Sequence, residues 1–216
     1  MKKLIFAFAL MTAGAVCSFA QNDYNKHEFF VGFSHEEVDG STAVFPQTSN
    51  NFNDSGAQKF NGFNAAAVYN FSRYIGLKGD VSGVYHGGDF NYQLDPTTAI
   101  TGSSHNSLYN ILGGVQFKDN ASTHRLKPFA HVLVGVGHAR VRVDDAACTP
   151  SINCPPGIVV PFSTTETNLA GVVGAGLDLR LNDKLDLRLI QADYNPVRLD
   201  SGTLHNARFS VGIVFK

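Results

Sequence analysis

Six charged residues lie close together in the segment DLRLNDKLDLR, which runs from Asp178 to Arg188, and four of them are in positions to pair across a hairpin. If the chain turns at residues 182–184, Arg180 lies opposite Asp186 and Asp178 lies opposite Arg188. The leucines then share the other face, and one register produces two cross-strand pairs of opposite charge. The chemistry of these residues is therefore ion pairing, and their spacing predicts a hairpin with one charged face and one apolar face.

Histidines and serines are numerous enough that a second function has to be considered, hydrolysis of lipid or protein. The candidates by residue type are His131, His138, Ser163 and Ser210. The chain has no GxSxG motif, and no spacing fixes a serine nucleophile against a histidine base. The remaining histidines show no metal-ligand spacing. The sequence therefore predicts no catalytic residue, no metal site and no cofactor.

Cys148 and Cys154 form the third candidate pair, in the segment CTPSINC. No further cysteine or histidine lies between them, so a metal site is not favoured. The first twenty residues indicate export, and exported chains meet an oxidising compartment. We therefore predict a local disulfide that closes a surface loop.

Residues 1–20, MKKLIFAFALMTAGAVCSFA, have the pattern of a secretory signal peptide. Its parts are a basic start at Lys2 and Lys3, an apolar core from Leu4 to Met11, and a small-x-small cleavage site that ends at Ala20. The apolar stretch is too short to serve as a membrane anchor. Lipidation at Cys17 is the alternative, but Val16 stands where a small residue is usual. We predict a mature domain over residues 21–216.

The composition of the chain favours β-structure. Of its 216 residues, 21 are Gly and 17 are Phe, and only 16% are charged. No run of 18 apolar residues follows the first twenty, which excludes a helical membrane protein after processing. Without Lys2 and Lys3 of the signal peptide, the chain has 15 basic and 18 acidic residues. Its net charge is therefore negative, which argues against nucleic acid as a partner.

Apolar and polar residues alternate with a period of two along most of the chain, and the last segment is the clearest. There Phe209, Val211, Ile213 and Phe215 share one face. Weaker or similar alternation covers residues 27–36, 62–71, 74–86, 106–118, 128–142, 167–181 and 185–194. These eight predicted strands have roughly 10–15 residues each, which is close to the length that a tilted strand needs to cross a bilayer.

The connections between the predicted strands alternate between long and short. Residues 37–60, 87–105, 143–166 and 195–204 are long and rich in Asn, Ser, Thr and Gly, whereas the links between them are short. Long loops outside the cell and short turns in the periplasm are typical of outer-membrane barrels. The sequence therefore predicts an all-β fold, an eight-stranded antiparallel up-and-down transmembrane β-barrel with four long extracellular loops.

Alternation alone does not decide which face points inward. A soluble lipocalin-like carrier would turn its apolar face toward a ligand cavity. In this chain the charged residues share their face with many glycines and serines, a mixture that suits a narrow interior. We therefore predict a lumenal network of ion pairs that plugs the barrel and leaves no large open pore, formed by Lys78, Asp80, Asp178, Arg180, Asp186, Arg188 and Arg208.

The chain resembles the small OmpA/opacity-type outer-membrane β-barrel family of Gram-negative bacteria. The resemblance is strongest in GFNAAAVYNFSRYIGLKGDVSG (62–83), in KPFAHVLVGVG (127–137) and over residues 174–216. The last strand is similar to the assembly signal of such barrels, with Phe209, Val211, Ile213 and the terminal aromatic Phe215, although Lys216 follows it. The resemblance implies location in the outer membrane, contact with its lipid and lipopolysaccharide, and recognition by the barrel-assembly machinery.

Three functions from different classes are compatible with these observations. The favoured one is a non-enzymatic structural or surface protein whose loops contact partners that the sequence does not identify. The alternatives are the soluble lipocalin-like carrier and, more remotely, the membrane-embedded hydrolase. The first two differ in the face that points inward, and the third requires a serine or similar nucleophile beside a base.

Overall fold

A computed structural model of the chain describes residues 24–38, 58–149, 162–199 and 202–216. The eight strands are β1 (His27–Val38), β2 (Gln58–Asn70), β3 (Ile75–Asp95), β4 (Thr98–Lys118), β5 (Leu126–Thr149), β6 (Phe162–Arg180), β7 (Leu185–Leu199) and β8 (Gly202–Phe215). Each strand is antiparallel to the next, and β1 also pairs with β8, so the sheet closes. The predicted fold class is confirmed. In the described part of the chain no helix is long and apolar enough to cross a membrane.

A continuous band of apolar side chains covers the outside of the barrel next to the short turns. On β5 it extends from Leu126 to Val136, and 11 residues match the 9–11 that a tilted strand needs to cross a bilayer. We call this surface the apolar band. Its members include Phe29, Val31, Phe33, Phe63, Tyr69, Leu77, Val81, Tyr85, Ile111, Phe117, Val132, Val134, Val136, Leu169, Val173, Tyr194, Phe209, Val211, Ile213 and Phe215.

Several strands continue well beyond the apolar band. β3 and β4 have 21 residues each and β5 has 24, about twice the length that a bilayer requires. The predicted loops at 87–105 and 195–204 are therefore wrong, because the strands continue through most of both segments. Strand residues also occupy both ends of the predicted loops at 37–60 and 143–166, and the rest of each, residues 39–57 and 150–161, lies outside the described residues.

Above the apolar band the two faces of the sheet exchange character. Within the band Val132 and Val134 of β5 point outward, whereas farther along the same strand Val141 points inward and is buried. Arg140 and Arg142 point outward there and are exposed. This part of the barrel has a more apolar interior and a wet exterior, as a soluble barrel has. Its outward residues are therefore polar, like those of loops, although they belong to strands.

One irregularity changes the phase of β7. Leu177 pairs with Ile190 while Asp178 pairs with Arg188, so Leu189 has no partner on β6. This is a β-bulge, in which one strand carries one residue more than its neighbour. Leu189 and Ile190 both face outward, at 40% and 46% exposure. As a result, the inward positions of β7 change from even numbers to odd numbers after Arg188.

Candidate functional site in the lumen

The charged hairpin of β6 and β7 has the register that its sequence indicates, with Asp178 opposite Arg188. Arg188 donates from Nε to Asp178 Oδ1 at 2.8 Å and from Nη2 to Oδ2 at 3.2 Å, a two-pronged contact of the strong kind. Lys118 Nζ donates to the same carboxylate at 2.8 Å and to Glu28 Oε1 at 3.0 Å. These four charged side chains form a closed cluster in the lumen beside the short turns.

The Arg188 guanidinium is also held between two aromatic rings. Its Cζ lies 4.3 Å from the ring centre of Phe30 and 4.1 Å from that of Phe129. A cation over the face of a desolvated ring is attracted by the ring quadrupole. Gln191 accepts a further hydrogen bond from Nη1 at 2.7 Å. Arg188 is 2% exposed, so its charge is balanced entirely by protein groups.

A second cluster lies deeper in the lumen and is centred on Arg208. Its guanidinium donates to Asp193 Oδ2 at 2.7 Å, to Asp80 Oδ1 at 3.2 Å and to Ser82 Oγ at 2.7 Å. Lys78 Nζ lies 3.5 Å from Asp80 Oδ2. Asp193 also contacts His131 and Gln191. None of these three residues is part of the ion-pair network that the sequence predicts.

The contacts of Asp193 join the two clusters. Gln191 donates to Asp193 Oδ2 at 2.7 Å and accepts from Arg188, so it bridges them directly. His131 Nε2 lies 3.0 Å from Asp193 Oδ1. We call the joined set the lumenal network; it comprises Glu28, Lys78, Asp80, Lys118, His131, Asp178, Arg188, Gln191, Asp193 and Arg208.

Two of the predicted network residues lie at the edge of the lumen and do not pair with each other. Arg180 and Asp186 are opposite in register, but Arg180 bonds to Asp183 in the turn and Asp186 pairs with Lys216. The predicted Arg180–Asp186 ion pair is therefore wrong. The reason is position: Arg180 ends its strand beside the turn, where Asp183 is within reach and water is accessible.

A layer of apolar side chains fills the lumen above the lumenal network. All eight strands contribute to it. We call it the apolar layer, and it consists of Val38, Phe60, Val84, Leu108, Leu112, Leu133, Ala139, Val141, Ala170, Val172, Val197 and Leu204. Near the boundary between the two, Asn195 donates to Glu36 Oε1 at 2.9 Å. The interior therefore becomes more apolar along the lumen without a sharp boundary. Leu133 and Val172 already point inward at the level of the apolar band, and buried Asn106 and Asn206 lie among the apolar side chains above it.

The residues considered for hydrolysis do not form a catalytic arrangement in the described part of the chain. His131 is buried against Asp193, and His138 Nδ1 lies 2.6 Å from Thr167 Oγ1 on the outer surface. Ser210 Oγ donates to Ser34 Oγ at 3.3 Å, and Ser163 is exposed. Among the described residues no group of three or more His, Cys, Asp or Glu side chains could hold a metal ion.

The remaining predicted residues are placed as follows. Phe209, Val211, Ile213 and Phe215 all face outward, at 41–46% exposure, and their role as an assembly signal stays a prediction. Cys148 lies at the end of β5, whereas Cys154 lies outside the described residues. The predicted disulfide and the signal peptide at 1–20 therefore stay predictions as well.

The short turns carry an ion pair of their own, outside the membrane-spanning segments. Arg73 donates to Asp119 from Nε at 2.9 Å and from Nη2 at 3.0 Å. The hydrogen bonds from Arg73 stabilise the charged carboxylate and lower the pKa of Asp119 below its usual range. The pair therefore stabilises the fold at neutral pH, and this contribution is lost as the pH falls through the lowered pKa.

Removing the partner should restore the ordinary titration of Asp119. In Arg73→Ala we expect the pKa of Asp119 to rise toward the normal aspartate value, because its main hydrogen-bond donor is gone. The measurement is a pH titration of the Asp119 carboxyl carbon by NMR. Arg125→Ala removes an exposed arginine from the turn that contains Asp119 and is the matched control. An unchanged Asp119 pKa in Arg73→Ala would contradict the assignment.

The fold and the lumen together define a class of protein. A closed sheet satisfies every backbone hydrogen bond between strands, so it can lie in lipid, and the apolar band supplies the lipid-facing surface. The paired charges face inward at the same level. The interpretation as a soluble lipocalin-like carrier is therefore wrong, because at this level the apolar face points outward.

The chain belongs to the outer membrane protein β-barrel domain family, whose model matches residues 6–216. It is an outer-membrane β-barrel protein, as the resemblance implies. No curated protein matches the chain in sequence.

Solved structures show the same fold at low sequence identity. The attachment invasion locus protein Ail of Yersinia pestis, crystallised with the heparin analogue sucrose octasulfate, is 18% identical with a TM-score of 0.54. That match covers 88% of this chain and 97% of Ail. Neisserial surface protein A is 13% identical with a TM-score of 0.50, and the match covers 89% of this chain and 97% of that one.

Proposed function

We propose that the protein is a non-enzymatic outer-membrane barrel with a closed lumen, whose function is carried by its outer and extracellular surfaces. The observation that carries the proposal is the filling of the lumen by two successive sets of side chains, the lumenal network and the apolar layer. The positions of the serines and histidines support a non-enzymatic role. Outer-membrane lipid, lipopolysaccharide and, during insertion, the barrel-assembly machinery are the proposed partners.

The two sets oppose ion passage by different means. An eight-stranded barrel has an interior just wide enough to be filled by side chains, and Arg188 and Arg208 are among the largest fully buried ones. An ion entering the lumenal network must displace charges that are already paired, which is costly in a desolvated space. An ion entering the apolar layer must give up most of its water to side chains that are mainly apolar. The lumen is therefore expected not to conduct.

Electrical recording in planar lipid bilayers tests the proposal. We expect no discrete conductance steps from the purified protein, whose folded state is verified by a shift in gel mobility on boiling. Phe60→Ser with Leu108→Ser should also be silent, because the lumenal network stays intact beneath the opened apolar layer. Reproducible conductance steps from the wild-type protein would contradict the closed lumen.

Activity assays test the other half of the proposal. The folded protein should not release fatty acid from phospholipid or lipid A, since in the described residues the His131 ring faces Asp193 and that of His138 faces Thr167. Measurable deacylation that a single substitution of His131 or His138 abolishes would contradict a non-enzymatic role.

A further inference from the structure

A groove of about 430 Å³ lies on the outer surface of β3, β4 and β5, immediately above the apolar band. Its lining includes Tyr85, Tyr109, Ser107, His105, Arg140 and Arg142. We call it the Arg140–Arg142 groove. The strand register brings these residues together: Tyr85, Ser107 and Arg140 lie in one cross-strand row, and His105 and Arg142 lie opposite each other in the next.

The height of the groove corresponds to the headgroup region of the outer leaflet. Val136 is the last member of the apolar band on β5, and Arg140 follows four residues later. Four strand residues span about 13 Å, or about 9 Å perpendicular to the membrane at a tilt of about 45°. Tyr85, in the same row as Arg140, and Tyr109, in the row nearer the short turns, meet edge to face with ring centres 5.7 Å apart. Tyrosines commonly occupy this boundary between hydrocarbon and water.

The groove has more positive charge than the described residues balance. Asp144 is the one carboxylate among the described residues that line it; it lies 2.8 Å from Arg142 Nε and 3.8 Å from His105 Nδ1. Among the described residues, the Arg140 guanidinium has no ion-pair or hydrogen-bond partner. Arg142 remains 54% exposed despite its contact with Asp144. Both guanidinium groups therefore have donors available for an external anion.

We propose that the Arg140–Arg142 groove binds the phosphorylated headgroup of lipopolysaccharide in the outer leaflet. Guanidinium groups match phosphate oxygens in a two-pronged geometry, and Arg140 and Arg142 are two residues apart on the same face of β5. The tyrosine pair lies where the headgroup meets its acyl chains. This inference rests on the proposed function for lipopolysaccharide as a partner and deepens it by assigning that contact to particular residues. It does not depend on a closed lumen, so the lipid-binding experiment and the conductance experiment can fail independently.

Binding of lipid A in detergent micelles, followed by native mass spectrometry, tests the assignment. The full chain carrying Arg140→Gln with Arg142→Gln should bind bis-phosphorylated lipid A about 10- to 30-fold more weakly than the wild type, since each arginine near an anionic surface contributes about 1 kcal/mol. Dephosphorylated lipid A should bind the wild type as weakly as it binds the variant. Equal binding of bis-phosphorylated lipid A to wild type and variant would overturn the proposal.

Two further variants separate a specific site from general charge and from damage to the fold. Arg198→Gln removes an exposed arginine four residues above Tyr194 on β7, at a comparable height, and should leave binding unchanged. Asp144→Asn frees Arg142 and should strengthen binding severalfold, a gain that misfolding does not produce. An equal loss in Arg198→Gln would overturn the proposal, as would displacement of the lipid by about 10 mM inorganic phosphate.

Discussion

Arg188→Leu is expected to lower the free energy of unfolding by about 3–5 kcal/mol, the usual cost of removing one partner from a buried ion pair. The side chain is 2% exposed, and its loss removes both of its hydrogen bonds to Asp178. It also empties the space between the rings of Phe30 and Phe129. Lys118 still contacts Asp178, so some compensation remains and the barrel should fold. Because the chain has no tryptophan, urea unfolding in lipid vesicles is best followed by circular dichroism.

The same hairpin supplies the control for this experiment. Arg180→Leu removes an arginine that bonds to Asp183, a side chain 88% exposed, and should cost at most about 1 kcal/mol. Adding Asp178→Asn to Arg188→Leu should recover part of the lost stability, because Lys118 and Glu28 then remain as a balanced pair and no excess negative charge is buried. Equal losses from the two arginine variants, or no recovery in the double variant, would contradict the view that desolvated charge decides the cost.

The period-two pattern of the sequence is sufficient to predict most of the architecture. Strand number, antiparallel order and the outward face within the membrane follow from alternation, because a strand places successive side chains on opposite faces. The register of the β6–β7 hairpin also follows, since its three-residue turn leaves little freedom and the leucines must share one face. Local patterns of this kind are readable from sequence.

The sequence predicts the members of the lumenal network less well, because most of the residues that pair in it are distant from each other in sequence. Lys118 and Glu28 are 90 residues apart, and no local pattern pairs them. Asp193 was missed for a different reason: the bulge at Leu189–Ile190 turns it inward, whereas uninterrupted alternation from Arg188 turns it outward. The one local signal was the pair of adjacent apolar residues, which breaks the alternation at that point.

The ends of the strands were misjudged because the environment changes along the barrel. Beyond the apolar band, a strand exposes Ser, Thr, Asn and Arg to water, and the same residue types compose loops. Only the inward positions distinguish the two cases, as where Ala139 and Val141 alternate with Arg140 and Arg142. The inward apolar positions of this region belong to the apolar layer, which a lumen that is polar throughout would not contain.

Gly212→Val is expected to be the most damaging change outside the charged residues, because it affects the closure of the sheet. Gly212 of β8 faces Gly32 of β1 across the pair of strands that closes the barrel. A Cβ at Gly212 would lie 2.5 Å from the Gly32 Cα and 2.9 Å from Phe30 Cε2, and closer still to the Val31 carbonyl oxygen. Two of these contacts are to backbone, so side-chain rotation cannot relieve them, and the strands must separate.

We therefore expect Gly212→Val to lose about 3 kcal/mol or more, or to yield little of the folded, heat-modifiable gel band after refolding. Gly79→Val is the matched control, since Gly79 lies in the lipid-facing surface of β3 with nothing within 4 Å of its added Cβ. Valine suits a strand better than glycine does, so this variant should be neutral or more stable. Equal tolerance of the two substitutions would mean that the contact between β1 and β8 is looser than the structure indicates. Equal damage would mean that glycine is needed for reasons other than space.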